Sequence, residues 1–214
     1  IRGVCEKANE TKTKIFVGYN RRFYSSVLKA KEMIKIDGGV ESFNFEFTEW
    51  CQQITEDIKN PVVLKNWFLA NSSHVIDLAF FLGGKPRELK SYSAGGIDWH
   101  PAATIFSGAG ITELGALFSY QANWGAPGRW GVEVLTHKHR FIFRPLEKLQ
   151  IQKINAVSAT NVQVDDQLDT DFKPGLYLQT KAFLKEDLNA PLLDIHKHYK
   201  NVINYYEKFI RHKT

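Results

Sequence analysis

The 214-residue chain is poor in cysteine, methionine and proline, with two, one and seven of them. Cys5 and Cys51 are too few for a disulfide framework, and neither stands in a Cys-x-x-Cys or Cys/His cluster. Reduced thiols fit a cytoplasmic setting. No apolar run approaches the roughly 18 residues that cross a bilayer, and residues 1–14 are charged with no signal-peptide core. A membrane partner is therefore not expected. No Gly-x-Gly-x-x-Gly or phosphate-cradling loop occurs, and no cluster has metal-ligand spacing, so no metal is assigned. Nor is there a strong excess of one charge: 28 basic against 23 acidic side chains give a formal +5. The denser basic stretches, His196–Lys200 and Lys208–Lys213, fall on one predicted helix and read as a solvated face rather than a nucleic-acid surface.

What is present is the balance of a folded protein, 43% hydrophobic and 24% charged. The length suits one large domain or two small ones. Val4–Thr11 has helical composition and runs into Lys14–Tyr19, a short apolar segment β-branched at Ile15 and Val17 that reads as a fully buried strand. A helix feeding such a strand is what the last αβ unit of a parallel sheet looks like. The expectation is that residues 1–19 are the remnant of a preceding domain and that 20–214 form a second one.

Phe23–Ile36 is helical, with Val27, Ala30 and Ile34 inward, and Asp37-Gly38-Gly39 stops it. In Val40–Trp50, Phe43, Phe45 and Phe47 alternate with polar residues, as in a strand with one buried face. Asn60-Pro61 reads as a turn and Trp67–Leu82 as containing a helix. Arg87–Ala94, Thr104–Ala109, Glu113–Trp124, Gly131–Thr136, His139–Phe143 and Leu149–Ile154 read as strands. Pro174–Glu186, with Leu178, Ala182 and Phe183 inward, and Leu193–Ile210 read as helices. Strands joined by short turns predict an α+β fold, a large mainly antiparallel β-sheet with helices on one face. Glu113–Trp124 places Leu114, Ala116, Phe118, Tyr120, Ala122 and Trp124 on one face and is largely apolar or small on both. The face without helices then needs a cover, and homo-oligomerisation supplies one.

Three clusters could carry chemistry. In Ala70–Leu78, Asn71 or Ser72 can cap a helix, placing His74 in the first turn, where the helix dipole favours a neutral imidazole able to take a proton from an alcohol. The competing reading is a structural hydrogen-bonder. In Gly18–Phe23, at the carboxyl end of the buried strand, one of Arg21 and Arg22 meets an anionic ligand and the other a structural carboxylate, or both are solvated. In Ala122–Trp130, Trp124 and Trp130 flank a Gly/Pro loop holding Arg129, which suits sugar binding or a hairpin pinned by aromatic packing. Asp98-Trp99-His100-Pro101 is a weaker cluster of similar composition.

In order and spacing, Val17-Gly-Tyr-Asn-Arg-Arg-Phe23, Gly39-Val-Glu-Ser-Phe43, Ser73-His-Val-Ile-Asp-Leu78, Leu82-Gly-Gly-Lys-Pro86 and Lys173-Pro-Gly175 resemble the Gfo/Idh/MocA oxidoreductases. The resemblance covers most of the chain and implies the C-terminal domain of such a protein, the N-terminal Rossmann domain lying outside it. It implies NAD or NADP in the full-length protein, with none bound to this chain alone, and hydride transfer on a sugar, polyol or nucleotide-sugar. It makes His74 the general acid/base. Asn20, Arg22, Asn71, Trp124 and Arg129 become substrate contacts, and Tyr19 and Arg21 cofactor contacts. A homodimer or homotetramer through the sheet face is the implied assembly. Two departures stand out. Ala70 occupies the position, four before the histidine, where the family often has aspartate, so either Asn71 and Ser72 take over its orienting role or the proton relay is altered. Glu6-Lys7-Ala8 imitates the family's Glu-Lys-Pro but lies only eleven residues before Gly18, so it reads as a chance match. Two other readings are a sugar-binding or oligomerisation module without chemistry, and an NAD-dependent glycosidase of the same family.

Overall fold

The computed structural model describes residues 1–58, 60–187 and 189–210, with side chains for all of these but 56 and 57. Of the basic stretch at Lys208–Lys213, residues 211–213 lie outside the described residues.

The chain begins with α1 (Arg2–Thr11), β1 (Phe16–Val17), a tight helical turn at Asn20–Phe23, α2 (Ser25–Ile36) and β2 (Ser42–Glu46). Then come α3 (Cys51–Asp57), α4 (Pro61–Lys65), a widened π-helical turn at Phe68–Ser72, and α5 (Ser73–Gly83). The strands β3 (Pro86–Ala94), β4 (Ile105–Thr112), β5 (Leu117–Asn123), β6 (Gly131–Leu135), β7 (His139–Phe143), β8 (Gln150–Lys153) and β9 (Thr160–Asn161) follow. The chain closes with α6 (Gln167–Asp171), α7 (Leu176–Leu184), β10 (Leu193–Asp194), α8 (Ile195–Asn201), a second π-helical turn at Val202–Tyr206, and α9 (Glu207–Ile210).

Eight strands form one sheet in the order β3-β4-β5-β2-β6-β7-β8-β9. Neighbours are antiparallel except β2 and β5, which run parallel. The α+β architecture expected from the strand meander is the one observed. Period-two alternation sends Phe43, Phe45, Phe118, Tyr120, Val132, Val134, Phe141 and Phe143 to one face, where all are buried under the helices. Register partners stack there: Phe43 on Phe118 at 5.3 Å and Phe45 on Tyr120 at 5.4 Å between ring centroids. Phe209 of α9 closes over Tyr120 at 4.4 Å. Each buried phenylalanine contributes about 2 kcal/mol of transfer free energy, so this aromatic layer is the main stabilising contact between sheet and helices.

Several expectations need correction. Glu113–Gly115 is a reversal between β4 and β5, not strand: Gly115, at φ +90°, returns its N–H to Thr112 O at 3.0 Å. Leu114 therefore sits at an exposed hairpin tip. The face away from the helices is not largely apolar. It carries Asn44, Ser119 and Gln121, and the ion pairs Arg140–Glu133 and Arg144–Glu46, with Tyr92, Ile105 and Leu117 exposed among them. Asn60 does not make a free turn. Its side chain accepts from Val62 N–H and caps α4, with Pro61 in the first turn. β1 is half-buried rather than fully buried, and pairs antiparallel with β10. Phe183 points outward, edge-on to Phe16, and with it lines a groove of about 640 Å³. Among the described residues no helix is long and apolar enough to cross a membrane.

Candidate active site

The widened turn before α5 sets the geometry. Asn71 and Ser72 are not a helix cap: the backbone is helical from Trp67 onward, and no side chain caps α5. Ser73 Oγ donates to Leu69 O within the wide turn at 2.6 Å. A π-turn inserts one residue and shifts the helical register by about 100°. Asn71 and Ser72 thereby reach Glu49, while Ser73 meets Tyr19.

His74 is half-buried, and its Nδ1 has no hydrogen-bond partner among the described residues. The Tyr19 ring stands edge-on to it at 4.9 Å. Burial, then the charges of Arg21, Lys173 and His198, pull its pKa down to about 3. The imidazole is neutral, as the sequence suggested, but desolvation and neighbouring cations cause this, not a helix terminus.

Glu49 is the residue that sequence reasoning missed. It lies beyond β2, only 1% exposed. It accepts from Ser72 Oγ at 2.6 Å and from Asn71 Nδ2 at 3.1 and 3.2 Å, with Arg129 Nη1 4.0 Å away. Burial raises its pKa to about 7, opposed by Ser72, Arg129, Trp67 and Asn71. The Trp67 indole N–H has no partner at hydrogen-bond geometry but is close enough to favour the anion. The signal was present: Phe43, Phe45, Phe47 and Glu49 are spaced two apart, so a carboxylate continues a core-facing register.

Of the two arginines, Arg22 meets the structural carboxylate. Its Nε and Nη2 each donate to Asp77 at 2.7 Å, and Phe81 lies under the guanidinium at 4.8 Å. A substrate contact through Arg22 is therefore corrected: its fork is occupied. Arg21 makes no ion pair among the described residues, rests on the Trp130 ring at 4.6 Å, and touches Asn20 Oδ1 at 3.5 Å. Tyr19 is not available to a cofactor. It is 3% exposed, its hydroxyl donates to Ser73 Oγ at 2.9 Å, and His198 Nδ1 lies 3.5 Å away. Asn20 is also buried, and its Nδ2 donates to Pro174 O at 2.8 Å. Asn20 thus fixes the loop carrying Lys173, helped by Asp169, which accepts from Gly175 N at 2.8 Å. Gly175 is required there: its φ is +70°, and a Cβ would fall 2.1 Å from Asn20 O.

In the third cluster the loop is relevant but the tryptophan is not Trp124. That ring is 1% exposed and sealed among Trp99, His100 and Phe106, so a sugar cannot reach it. The Trp99–His100 segment belongs to the same packing, His100 accepting from Ala102 N. Trp130, also buried at 5% exposure, and exposed Trp50 are the rings against which the loop arginine packs. Arg129 lies over Trp50 at 4.9 Å and over Trp130 at 4.8 Å, and Trp50 Nε1 donates to Gly128 O at 2.7 Å. His74, Glu49, Asn71, Arg21, Arg129 and Lys173 thus form one electrostatic neighbourhood. Among the described residues no group of His, Cys, Asp or Glu could hold a metal ion.

No protein-family model and no curated protein matches the sequence. Solved structures do match in fold. UDP-N-acetylglucosamine 3-dehydrogenase GnnA from Acidithiobacillus ferrooxidans superposes with a TM-score of 0.68 at 13% identity, over 97% of this chain and 64% of that one. Levoglucosan dehydrogenase in complex with NADH gives 0.67 at 16% identity, over 90% of this chain and 62% of that one. An NAD-binding oxidoreductase from Klebsiella pneumoniae gives 0.59 at 18%, over 87% and 59%. The chain spans less than two thirds of each structure and shares its fold with part of proteins described as dehydrogenases or oxidoreductases.

Proposed function

We propose that the chain is the substrate and oligomerisation domain of a nicotinamide-dependent oxidoreductase of the Gfo/Idh/MocA type. In this reading residues 1–19 end a dinucleotide-binding domain and 20–214 shape the substrate site. His74 exchanges the proton of a sugar, polyol or nucleotide-sugar hydroxyl. The observation that carries it is a neutral imidazole, unpartnered at its buried Nδ1, set near Arg21 and Lys173 and just after the turn that holds buried Glu49. The likeness to dehydrogenases acting on a nucleotide-sugar and on levoglucosan supports the substrate class.

These residues fit a coenzyme held mainly by another domain. Of the two residues the resemblance assigns to the cofactor, Tyr19 is sealed and Arg21 has no ion-pair partner among the described residues, and the sequence has no glycine-rich phosphate loop. When bound, the nicotinamide supplies the hydride acceptor or donor. The chain's own work is to orient the substrate, through Asn71 and Arg129, and to move the hydroxyl proton at His74. A second copy of the chain across the outer sheet face belongs to the same reading, supported by exposed Tyr92, Ile105 and Leu117.

The test is His74→Ala in the full-length protein, followed by NADH or NADPH absorbance with UDP-N-acetylglucosamine, levoglucosan and a panel of simple sugars. Turnover should fall at least ~100-fold, the usual scale for a lost general base, with the circular dichroism unchanged. Undiminished turnover by the variant removes His74 from the mechanism.

A further inference from the structure

Arg21 and Arg129 are brought to the same ring. Both guanidiniums lie over Trp130, at 4.6 and 4.8 Å, and the Arg129 charge disfavours that of Arg21. Lys173, on the loop fixed by Asn20, adds a third positive charge beside His74. Two nearby carboxylates, Glu147 and Glu49, favour the Arg21 charge without forming an ion pair with it, and both accept hydrogen bonds from other residues. Glu49 is tied to Ser72 and Asn71, with Arg129 at the edge of ion-pair distance, and Glu147 accepts from Tyr24 Oη at 3.4 Å. Like charges held close together repel, and an anion between them relieves that repulsion. Planar guanidinium forks stacked on an aromatic ring are set to receive two oxygens each.

We propose that the substrate of this site carries an anionic group, a carboxylate or a phosphate, gripped by Arg21 and Arg129 with Lys173 at its edge. This deepens the oxidoreductase reading and rests on it for the sugar framework. The grip has a consequence at His74. Arg21 and Lys173 are two of the charges that hold its pKa down. An anion between them cancels part of that field and raises the basicity of the imidazole only when substrate is seated. Binding and proton transfer become coupled, and a neutral sugar bound in the same place leaves the imidazole a weak base.

The experiment is equilibrium titration of the full chain with glucuronate, glucose 1-phosphate and glucose, read by calorimetry and by the fluorescence of the tryptophans beneath the arginines. At least one anion should bind ten-fold or more tighter than glucose. Preference for glucuronate identifies a sugar acid, and preference for glucose 1-phosphate a phosphorylated or nucleotide-linked sugar. Arg21→Gln and Arg129→Gln should each lower the anion affinity about ten-fold, equal to about 1.4 kcal/mol, and lower glucose affinity by much less. Arg21→Lys, which keeps the charge but not the fork, should fall between. Equal binding of anions and glucose overturns the proposal, as does anion binding undiminished in the folded double variant R21Q/R129Q. The titration does not depend on turnover. Loss of anion preference with a His74-dependent reaction defeats this inference alone, and anion preference with a His74-independent reaction defeats the catalytic reading alone.

Discussion

The Arg22 guanidinium is joined at two points to Asp77, over the Phe81 ring and near buried Tyr205 and Tyr206, whereas its neighbour Arg21 lies on the Trp130 ring that Arg129 also contacts, with no ion-pair partner among the described residues. Two identical side chains, adjacent in sequence, therefore stand in opposite electrostatic settings. In the sealed cluster every strong charge is matched, and the arrangement ties the Asn20–Phe23 turn to α5. In the open cluster the positive charges outnumber their partners, and what is fixed is the placement of unmet donors. A folded protein keeps an unmet arrangement only where the rest of the structure enforces it, and such places are where ligands act.

The most severe way to break this comparison is to remove Asp77. Asp77→Asn strands the buried Arg22 charge, and urea unfolding should register a loss of about 3–5 kcal/mol. Replacing both partners by apolar residues, Arg22→Met with Asp77→Leu, should recover most of that loss, because no uncompensated charge is left behind. A cost below about 1 kcal/mol for Asp77→Asn would mean that the pair is solvated and that the two arginines do not differ in kind.

Much of the sealed region was legible from spacing, and much of the open one was not. Period two identified Phe43, Phe45, Phe47, Phe118, Tyr120 and Ala122 as one buried face, because a sheet covered on one side enforces that alternation. The same rule, carried one step further, reaches Glu49, which was passed over because a carboxylate ordinarily ends a core-facing run. Alternation assigns Arg21 and Arg22 to opposite directions, but they lie in a helical turn, and only the positions of Asp77 and Trp130 decide which is engaged. Between Trp124 and Trp130 the chain passes Gly125, Pro127 and Gly128, where no period survives to say which tryptophan enters the core. The π-turn before His74 has no compositional signature, so the apparent helix cap at Asn71 and Ser72 was a reasonable misreading.

Glu49 sharpens the comparison through pH. Its folded-state pKa, about 7, lies above the ordinary 4.5, so the native state holds a proton that the unfolded chain releases between those values. The stability it contributes is complete below about pH 4.5 and is lost as pH rises to 7. The difference in unfolding free energy between the wild type and Glu49→Gln, followed from pH 4.5 to 7.5, should therefore move against the wild type by about 2–3 kcal/mol. His74 acts with the opposite sign. Its pKa is depressed from 6.5 to about 3, so its contribution is present above pH 6.5 and lost on acidification. A difference curve for Glu49→Gln that is flat in pH would show the carboxyl to be hydrated and would remove it from the site.

The smallest effect is the most discriminating. Arg21→Gln gives up a cation–π contact of about 0.5–1 kcal/mol but relieves repulsion from Arg129, so the stability of the unliganded protein should change by no more than about 0.5 kcal/mol. Set beside Asp77→Asn in the same urea series, that near-silence is the mark of a donor held for something other than the fold. If Arg21→Gln instead cost several kcal/mol, its guanidinium would be part of the packing between the Asn20–Phe23 turn and the Trp130 strand entry. The site would then have only Arg129 and Lys173, both exposed, to hold an anion, and the contrast between the neighbouring arginines would reduce to two forms of structural anchoring.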